Sequence, residues 1–598
     1  MKEKIYDKRM KRYENLKSKQ KQTINFYSVL RLVIFISAIV LGLIFLKQDN
    51  YMFFGITVLI FLIFFLVVAK KHSVLIAKLK LCESLISINK KSLERKKGKW
   101  KGFKDQGSEF VDESSNFTYD LDIFGKNSLF QYINVTKTFY GRHELKNILS
   151  EFPTNKEKII QKQEAVKELA LSIGWRQKLQ ALPSISEENI KSPEELVIWS
   201  KEKIDFYESK SVNFLVIILP LITILFGVLH FIFNLIPYTV PAILFIIQIG
   251  ITGYKFGERA DYLNELFKYK RDIEIYWHMI EHIEKKDFNS IYLEKLKAKL
   301  VNNKKETCGK SMKEFNKIVT KISDRRNMFY LIKNLIFLSD YKVCKSLNKW
   351  KNNSGENLQQ WLQVIGEFEA LSSLSIINFD NPNWTTPEFT EKKIIKSEKL
   401  AHPLITSNRI SNYISISEES PVLLITGSNM AGKSTYLRTI GINLVLSYTG
   451  AAVCASSFTC PLLNIYSCMR ISDDIDQNIS SFYGEIIRIK KIIDAVNRNE
   501  KVFFLLDEIF KGTNSIDRHT GAISLVNKLE KVGAVGLVST HDLELGELEK
   551  TSKGKIKNYH FEEYYKDNKI YFDYKLKKGI SKTRNASYLM KMAGLQVD

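Results

Sequence analysis

Apolar residues come in two lengths along this chain. In the first half they form runs as long as a bilayer is thick: Phe26–Leu46, interrupted only by small polar groups and by Arg31 near its start, and Tyr51–Ala69, more apolar still. About 20 such residues span hydrocarbon as a helix. A second pair, Val212–Phe233 and Val240–Tyr254, is joined by Asn234-Leu235-Ile236-Pro237. In the C-terminal third the runs shrink to about five residues, Leu423–Ile425, Val502–Leu506 and Ala534–Val538, each ending in polar residues. Short continuous runs of this kind predict strands of a parallel sheet, buried on both faces. Between these zones, residues 261–350 set Leu and Ile at helical intervals among Lys and Glu, which predicts long amphipathic helices. The pattern therefore divides the chain into two helical hairpins, a helical middle and a C-terminal α/β domain.

Charge orients the hairpins. The first 24 residues hold nine Lys or Arg against three acidic residues, and Lys70, Lys71, Lys78 and Lys80 follow the second run. The link Lys47-Gln48-Asp49-Asn50 is nearly neutral, so the positive-inside rule places both ends of this hairpin in the cytoplasm. A signal peptide fits the first run poorly, because a second run follows at once with no small-residue cleavage pattern between them. The second pair is likewise flanked by Lys201, Lys203 and Lys210 before it and by Lys255, Arg259, Lys268, Lys270 and Arg271 after it. Its alternative is a buried hairpin of the soluble core, since the fourth run is short and Pro220 interrupts the third. The 598 residues, 45% apolar, allow a large core and several domains, and carry a formal charge of +24. Lys90, Lys91, Arg95, Lys96, Lys97, Lys99, Lys101 and Lys104, interleaved with Trp100 and Phe103, suit nucleic-acid phosphates and anionic lipid equally. Six isolated cysteines without a C-x-x-C pair imply neither a zinc site nor a disulfide framework, as suits a reducing compartment.

The chemistry is concentrated where the short runs end. Gly427-Ser428-Asn429-Met430-Ala431-Gly432-Lys433-Ser434-Thr435 fits G-x-x-x-x-G-K-[ST], directly after a strand-like run and directly before the helix-like Tyr436–Leu446. Such a loop wraps backbone N–H groups around phosphate oxygens, aided by the helix N-terminus. Lys433 supplies charge to the β- and γ-phosphates of ATP and Ser434 a hydroxyl to Mg²⁺. Asp507 is placed to hold the Mg²⁺ shell and Glu508 to polarise the attacking water. His541, after Ser539-Thr540, stands where a γ-phosphate would be sensed at the carboxyl edge of a parallel sheet.

These three motifs, with Leu505-Leu506-Asp507-Glu508-Ile509, Gly512-Thr513-Asn514-Ser515 and Glu544-Leu545 around them, resemble the ATPase domain of the MutS family. Ser472-Asp473-Asp474, Asn478-Ile479-Ser480-Ser481-Phe482 and Glu485 resemble the segment whose serine reaches a partner subunit's nucleotide. The resemblance thus implies a homodimer with ATP sites completed in trans, Ser480 and Ser481 being the candidates. The same serines also suit a helix cap beginning near Phe482. Upstream, Asp120–Gly125, Ser128-Leu129-Phe130, Thr136–Thr138, Gly141, Gln163–Val166 and Glu367–Ser375 resemble the family's helical core. Pro387-Glu388-Phe389 and His402-Pro403 resemble the entry to its ATPase domain, and Tyr574–Gly579 and Ala593-Gly594-Leu595 the end of it.

The implied fold class is a P-loop (ABC-like) α/β ATPase domain at the C-terminus, preceded by an α-helical core or lever region and transmembrane hairpins. The expected divisions are a basic N-terminus 1–25, a hairpin 26–69, a basic linker 70–119, core 120–210, a second hairpin 211–255, core or lever 256–404, and the ATPase domain 405–598. Three departures stand out. Nothing before residue 120 offers room for a mismatch-reading wedge domain, Ile516-Asp517-Arg518-His519 replaces a more usual Asp-Gly, and no adenine-stacking aromatic is evident ahead of the loop, where Arg409 falls. The expectation is a membrane-anchored ATPase coupled to mismatched, branched or otherwise unusual DNA, with lipid met by the hairpins and their basic flanks. The alternative is an ATP-driven membrane machine acting on a protein or lipid partner. An ABC-type exporter fits poorly, with few spans and no Leu-Ser-Gly-Gly-Gln sequence.

Overall fold

A computed structural model describes residues 2–152, 154–185, 191–202, 209–302, 304–428, 430–470, 481–510, 514–566 and 569–581. Two helices of 46 residues each, Lys2–Lys47 and Tyr51–Lys96, pack along one another as a hairpin. Asn50 starts the second by accepting the Phe53 N–H at 3.4 Å. Each is about 69 Å long at 1.5 Å per residue, more than twice the ~30 Å of bilayer hydrocarbon. The basic residues 2–25 and the start of the segment 70–119 therefore continue the apolar helices without a break. Large apolar side chains stand exposed from Phe26 to Leu46 and from Tyr51 to Ile76.

Below that band the hairpin docks on the helical core. Tyr6 is buried and donates to Asp380 at 2.9 Å, Arg9 donates to Gln177 at 2.8 Å, and buried Arg95 donates to the Tyr132 carbonyl at 2.7 Å. The basic run 90–104 is thus partly core: Arg95 and Trp100 are buried, and Lys91 lies 4.6 Å from the Phe103 ring. Desolvation lowers the Lys91 ammonium to about 8. Lys90 begins some 21 Å of helix beyond Ile76, more than two Debye lengths of about 8 Å at physiological salt, which removes this run from the edge of the apolar band.

The second apolar pair forms Lys210–Phe231, with Pro220 inside it, and Thr239–Gly253, which bends by 59° into Phe256–Phe267. By length and composition three helices among the described residues are able to cross a membrane, and the bent pair would make a fourth. The stretch expected to form long amphipathic helices is instead divided into six of 8 to 16 residues, from Phe256–Phe267 to Ser339–Ser354. Local polar caps end them: Asn302 accepts the N–H groups of Lys304 and Glu306, and Ser290 that of Leu293. Their apolar faces close on stacked Trp199, Phe315 and Trp350.

Leu358–Asp380 is the buried axis of the core. Phe139–Ser150 crosses it at Gly366, where a Cβ would lie 2.6 Å from the Tyr140 carbonyl carbon. One turn on, Glu369 accepts the Lys137 N–H (2.9 Å), the Thr138 N–H (3.3 Å) and the Thr138 hydroxyl, and burial pushes its carboxyl up to about 7.

The C-terminal domain contains β1 (Glu388–Phe389), β2 (Ile395–Leu400), β3 (Asn412–Ile416), β4 (Val422–Thr426), β5 (Ser457–Cys460), β6 (Asn464–Cys468), β7 (Val502–Asp507), β8 (Val535–Thr540), β9 (Ile556–His560), β10 (Glu563–Lys566), β11 (Lys569–Phe572) and β12 (Lys577–Lys578). A small sheet runs β1-β5-β2-β3, and β10 and β11 pair as a ribbon. The main sheet runs β12-β9-β4-β8-β7-β6, parallel except for β12. Alternate strand residues feed opposite faces: Leu423, Ile425 and Leu505 meet Leu437, Ile440 and Leu444 of helix Lys433–Thr449, and Val422, Leu424 and Leu506 meet Ile489, Ile492, Leu525 and Val526 of helices Ser481–Asn497 and Ser515–Lys531. Both faces are covered, which is why these strands read as unbroken apolar runs. The cluster behind Lys433–Thr449 continues into Leu358–Asp380, so sheet and helical core share one interior.

Candidate nucleotide-binding site

β4 delivers the glycine-rich loop to the carboxyl edge of the sheet. Gly427 (φ 145°) and Gly432 (φ 103°) both hold backbone that side chains resist, and a Cβ on Gly427 would lie 2.8 Å from the Phe561 carbonyl oxygen. Lys433 opens the following helix, and its ammonium is buried, donating to the carbonyls of Gly427 (2.7 Å) and Ser428 (3.0 Å). It also lies 3.2 Å from Oε1 of Glu508. Ser428 donates to Glu563 at 2.8 Å, and Ala431 is buried with its N–H on the Ser428 carbonyl at 3.3 Å. Met430 is exposed, Ser434 and Thr435 follow in the first helical turn, and Asn429 lies outside the described residues.

The neighbouring strands bring up the acids. Asp507 ends β7 in register with Ser539 of β8, whose hydroxyl donates to it. Glu508 then adopts a left-handed backbone, φ 48°, with its N–H on the Ser539 carbonyl at 3.0 Å. Such a conformation costs a non-glycine residue about 1 kcal/mol or more, and it clusters at functional sites. Oε2 of Glu508 lies 3.8 Å from Nδ1 of His541, just past β8. One carboxylate thus stands between an ammonium and an imidazole at the mouth of the loop, bringing Lys433, Glu508 and His541 together. Ser434 and Asp507 offer a hydroxyl and a carboxylate, the hard oxygen donors that suit Mg²⁺.

A cavity of about 290 Å³ adjoins the loop, lined among others by His402, Ile405, Ile410, Gly432, Tyr436 and Tyr574. Desolvation lowers the His402 imidazole to about 4, so the ring is neutral at pH 7, and its Nδ1 accepts the Leu404 N–H at 3.3 Å. Arg409 turns elsewhere, bonding to the carbonyls of Ile405 (2.6 Å) and Pro403 (3.2 Å) and lying over Trp384 at 5.3 Å. The aromatic ring facing the loop is that of Tyr574, against which a Cβ on Gly432 would sit at 3.1 Å. A search confined to residues ahead of the loop misses it, because the ring comes from the far end of the domain.

Ser480 lies outside the described residues, and Ser481 opens the helix Ser481–Asn497. Glu485 of that helix accepts the Phe510 N–H, tying the helix to the chain that carries Glu508. His519 and Asp542, unconnected in sequence reasoning, meet at 2.7 Å with Glu544 nearby. The link to the helical core was also missed. Buried Asp120 accepts from the Ser467 hydroxyl (2.8 Å), the N–H groups of Met469 (3.0 Å) and Arg470 (3.1 Å), and Arg488 (2.9 Å). Asp122 accepts from Arg470 at 3.0 Å and pairs at 3.4 Å with Arg438 of the helix that Lys433 opens. The Asp-x-Asp spacing was the available signal, since alternate carboxylates in an otherwise apolar stretch need cationic or N–H partners.

Residues 423–597 match the model of MutS domain V, a P-loop ATPase-type domain. The chain is 34% identical over 259 residues to the DNA mismatch repair protein MutS of Aquifex pyrophilus, an alignment covering 42% of this chain and 29% of that protein. It is 30% identical over 262 residues to the protein of the same name from Persephonella marina (43% and 30%) and 32% identical over 261 residues to the DNA mismatch repair protein MSH3 of Debaryomyces hansenii (41% and 25%). The similarity spans less than a third of the length of these relatives. The C-terminal domain is thus of the MutS domain V type, and there the chain is similar to proteins of the MutS family.

Proposed function

We propose that the chain is a membrane-anchored ATPase that binds and hydrolyses ATP at sites completed across a homodimer, and that it couples this cycle to DNA. The observation that carries the ATPase reading is the Lys433–Glu508–His541 constellation at the glycine-rich loop. A bound triphosphate draws the Lys433 ammonium from the Gly427 and Ser428 carbonyls and from Glu508 onto β- and γ-phosphate oxygens. Glu508, relieved of its cation, orients water toward the γ-phosphorus as general base, and His541 contacts the γ-phosphate. Ser434 and Asp507 would hold Mg²⁺, with Ser539 fixing the Asp507 carboxylate, and an ion held there would supply positive charge against the phosphates. Tyr574 and neutral His402 flank the cavity for the base. Ser480 or Ser481 of the partner copy closes the site.

The exposed apolar bands support the anchor, with both hairpins returning to the cytoplasmic side where ATP is. The DNA role is supported by the names of the relatives, DNA mismatch repair proteins, and by the charge of +24. A second reading, an ATP-driven machine for a protein or lipid client, is favoured by the continuity of the long hairpin with the core through Tyr6 and Asp380. The test is ATP hydrolysis by the full-length protein in lipid nanodiscs, with duplex, mismatched or branched DNA, using Glu508→Gln as the blank. Stimulation by DNA that fades with added salt supports the first reading. Turnover indifferent to every DNA removes it and leaves the second.

A further inference from the structure

The geometry points to an anionic phospholipid headgroup site at the foot of the second hairpin, formed by Lys321, Lys333, Lys342 and Ser339. It rests on the reading that Lys210–Phe231 and Thr239–Gly253 enter lipid. The helix Met328–Phe337 packs against both of them. Gln248, buried on the apolar helix Thr239–Gly253, donates to the Ile336 carbonyl at 3.3 Å, and Tyr341 donates to the Ile251 carbonyl at 2.9 Å. Gln248 lies five residues from the end of its helix, about 7.5 Å along the axis. The end of Met328–Phe337 is therefore level with the last turns of the apolar helix, where hydrocarbon gives way to headgroups. On its outer side Leu331, Ile332 and Phe337 are exposed, continuing the apolar surface of the hairpin. At ten residues, about 15 Å, this helix is too short to cross the ~30 Å of hydrocarbon.

Beside these residues opens a cavity of about 190 Å³ lined by Lys321, Lys333, Lys342, Ser339 and Ser346, with Ile318, Val343 and the Tyr330 ring as its apolar part. No carboxylate lines it, and among the described residues none of the three ammonium groups is ion-paired. The nearest buried acid, Asp340, is already engaged by Tyr330 (2.7 Å), Asn334 (3.2 Å) and Arg325 (3.3 Å). Ser339 opens the helix Ser339–Ser354, whose positive end adds to the attraction for a phosphate. Three cations without a carboxylate partner among the described residues, Lys333 lying 5.9 Å from the Tyr330 ring, a hydroxyl and a helix start next to an interfacial apolar face match one phosphodiester headgroup whose acyl chains run along Leu331 and Phe337.

The test uses the full-length protein in neutral detergent, with phosphatidylglycerol or phosphatidylcholine added and retained lipid counted by native mass spectrometry. Phosphatidylglycerol is expected to be retained about tenfold more tightly than phosphatidylcholine, and Lys321→Gln/Lys333→Gln/Lys342→Gln to erase that preference, since the net negative charge that distinguishes the two headgroups is what the cations attract. The control Lys392→Gln/Lys528→Gln/Lys531→Gln, with the same charge change on exposed residues, should leave it intact. Equal loss in both variants, displacement by millimolar inorganic phosphate, or a loss of duplex DNA binding specific to the first variant each overturns the proposal. A fluorophore at Leu225→Cys in brominated-lipid nanodiscs separates the two levels. Quenching there without a lysine effect leaves the hairpin in the membrane and removes the headgroup site; no quenching removes the hairpin reading, and the site with it.

Discussion

The strands of the C-terminal sheet and the helices of the N-terminal hairpin are built from the same side chains, and they differ in what covers them. Leu505, Leu506, Leu537 and Val538 are sealed by helices on both faces of the sheet. Leu59, Ile60, Leu62 and Phe64 stand exposed on a helix whose packing against its hairpin partner Lys2–Lys47 leaves most of its apolar surface uncovered. Contiguous apolar surface beyond a few hundred Å² is rare on water-facing proteins. Composition therefore states that a segment must leave water, and run length states where it goes: five residues fill a sheet, whereas twenty fit a bilayer. The two regions also divide the work. The sheet edge gathers every candidate catalytic group, and the hairpin carries none of them.

That division is tested most strongly at the sheet edge. Glu508→Gln is expected to retain ATP affinity while slowing hydrolysis on the order of 10² to 10⁴-fold, the usual contribution of a general base. Lys433→Ala should instead abolish measurable nucleotide binding. Both variants should partition to membranes as the parent does; a joint loss of turnover and membrane association would show that the two regions are not separate functions. Hydrolysis by radiolabelled ATP and sedimentation of membranes read the two properties independently.

The joint between the regions comes next. Asp120 is buried and binds four groups of the ATPase domain, so Asp120→Ala strands the Arg488 guanidinium and the Met469 and Arg470 N–H groups. Breaking a buried charge pair from one side costs about 3 to 5 kcal/mol. The expected outcome is a Tm lowered by many degrees in scanning fluorimetry, with weaker nucleotide stimulation in the fraction that folds. An unchanged Tm would mean that Asp120 is not what fixes the sheet domain to the core.

Much of this was legible from the chain. Lys433, Asp507, Glu508 and His541 were readable because each follows a strand-like run, and a parallel sheet necessarily brings the ends of such runs to one edge. The full lengths of the hairpin helices were not legible, for a physical reason. Helix 2–47 outlasts its apolar stretch by more than 20 residues, because Tyr6 and Arg9 reach partners at Asp380 and Gln177 that only the tertiary fold supplies. Long-range partners also hid Tyr574, far downstream of the loop it faces, and turned part of the basic run 90–104 into core.

Exposure along the hairpin gives a smaller and sharper contrast. Leu59→Arg should reduce the membrane-bound fraction by an amount corresponding to about 3 kcal/mol, the insertion penalty for a charge at the centre of a span. In water the same change at an exposed site would be nearly neutral. Flotation of the full-length variant on a density gradient decides between them, and unaltered flotation would remove the first hairpin from the bilayer.

The finest prediction concerns the core that both regions share. Burial raises Glu369 from its ordinary 4.5 to about 7, so between those values the folded protein keeps a proton that the unfolded chain has released. The folded state then binds more protons than the unfolded one, and stability falls as pH rises through that window, being highest below 4.5 as far as this group is concerned. From pH 5 to 7 the loss should be about 2 kcal/mol. Glu369→Gln keeps a neutral side chain at every pH and should flatten this slope. Its amide also sets N–H donors against those of Lys137 and Thr138, so the absolute Tm falls while its pH dependence shrinks. Scanning fluorimetry at half-unit pH steps separates these effects. A variant with the parent's slope would assign the titration to another group and leave Glu369 ionised in the core.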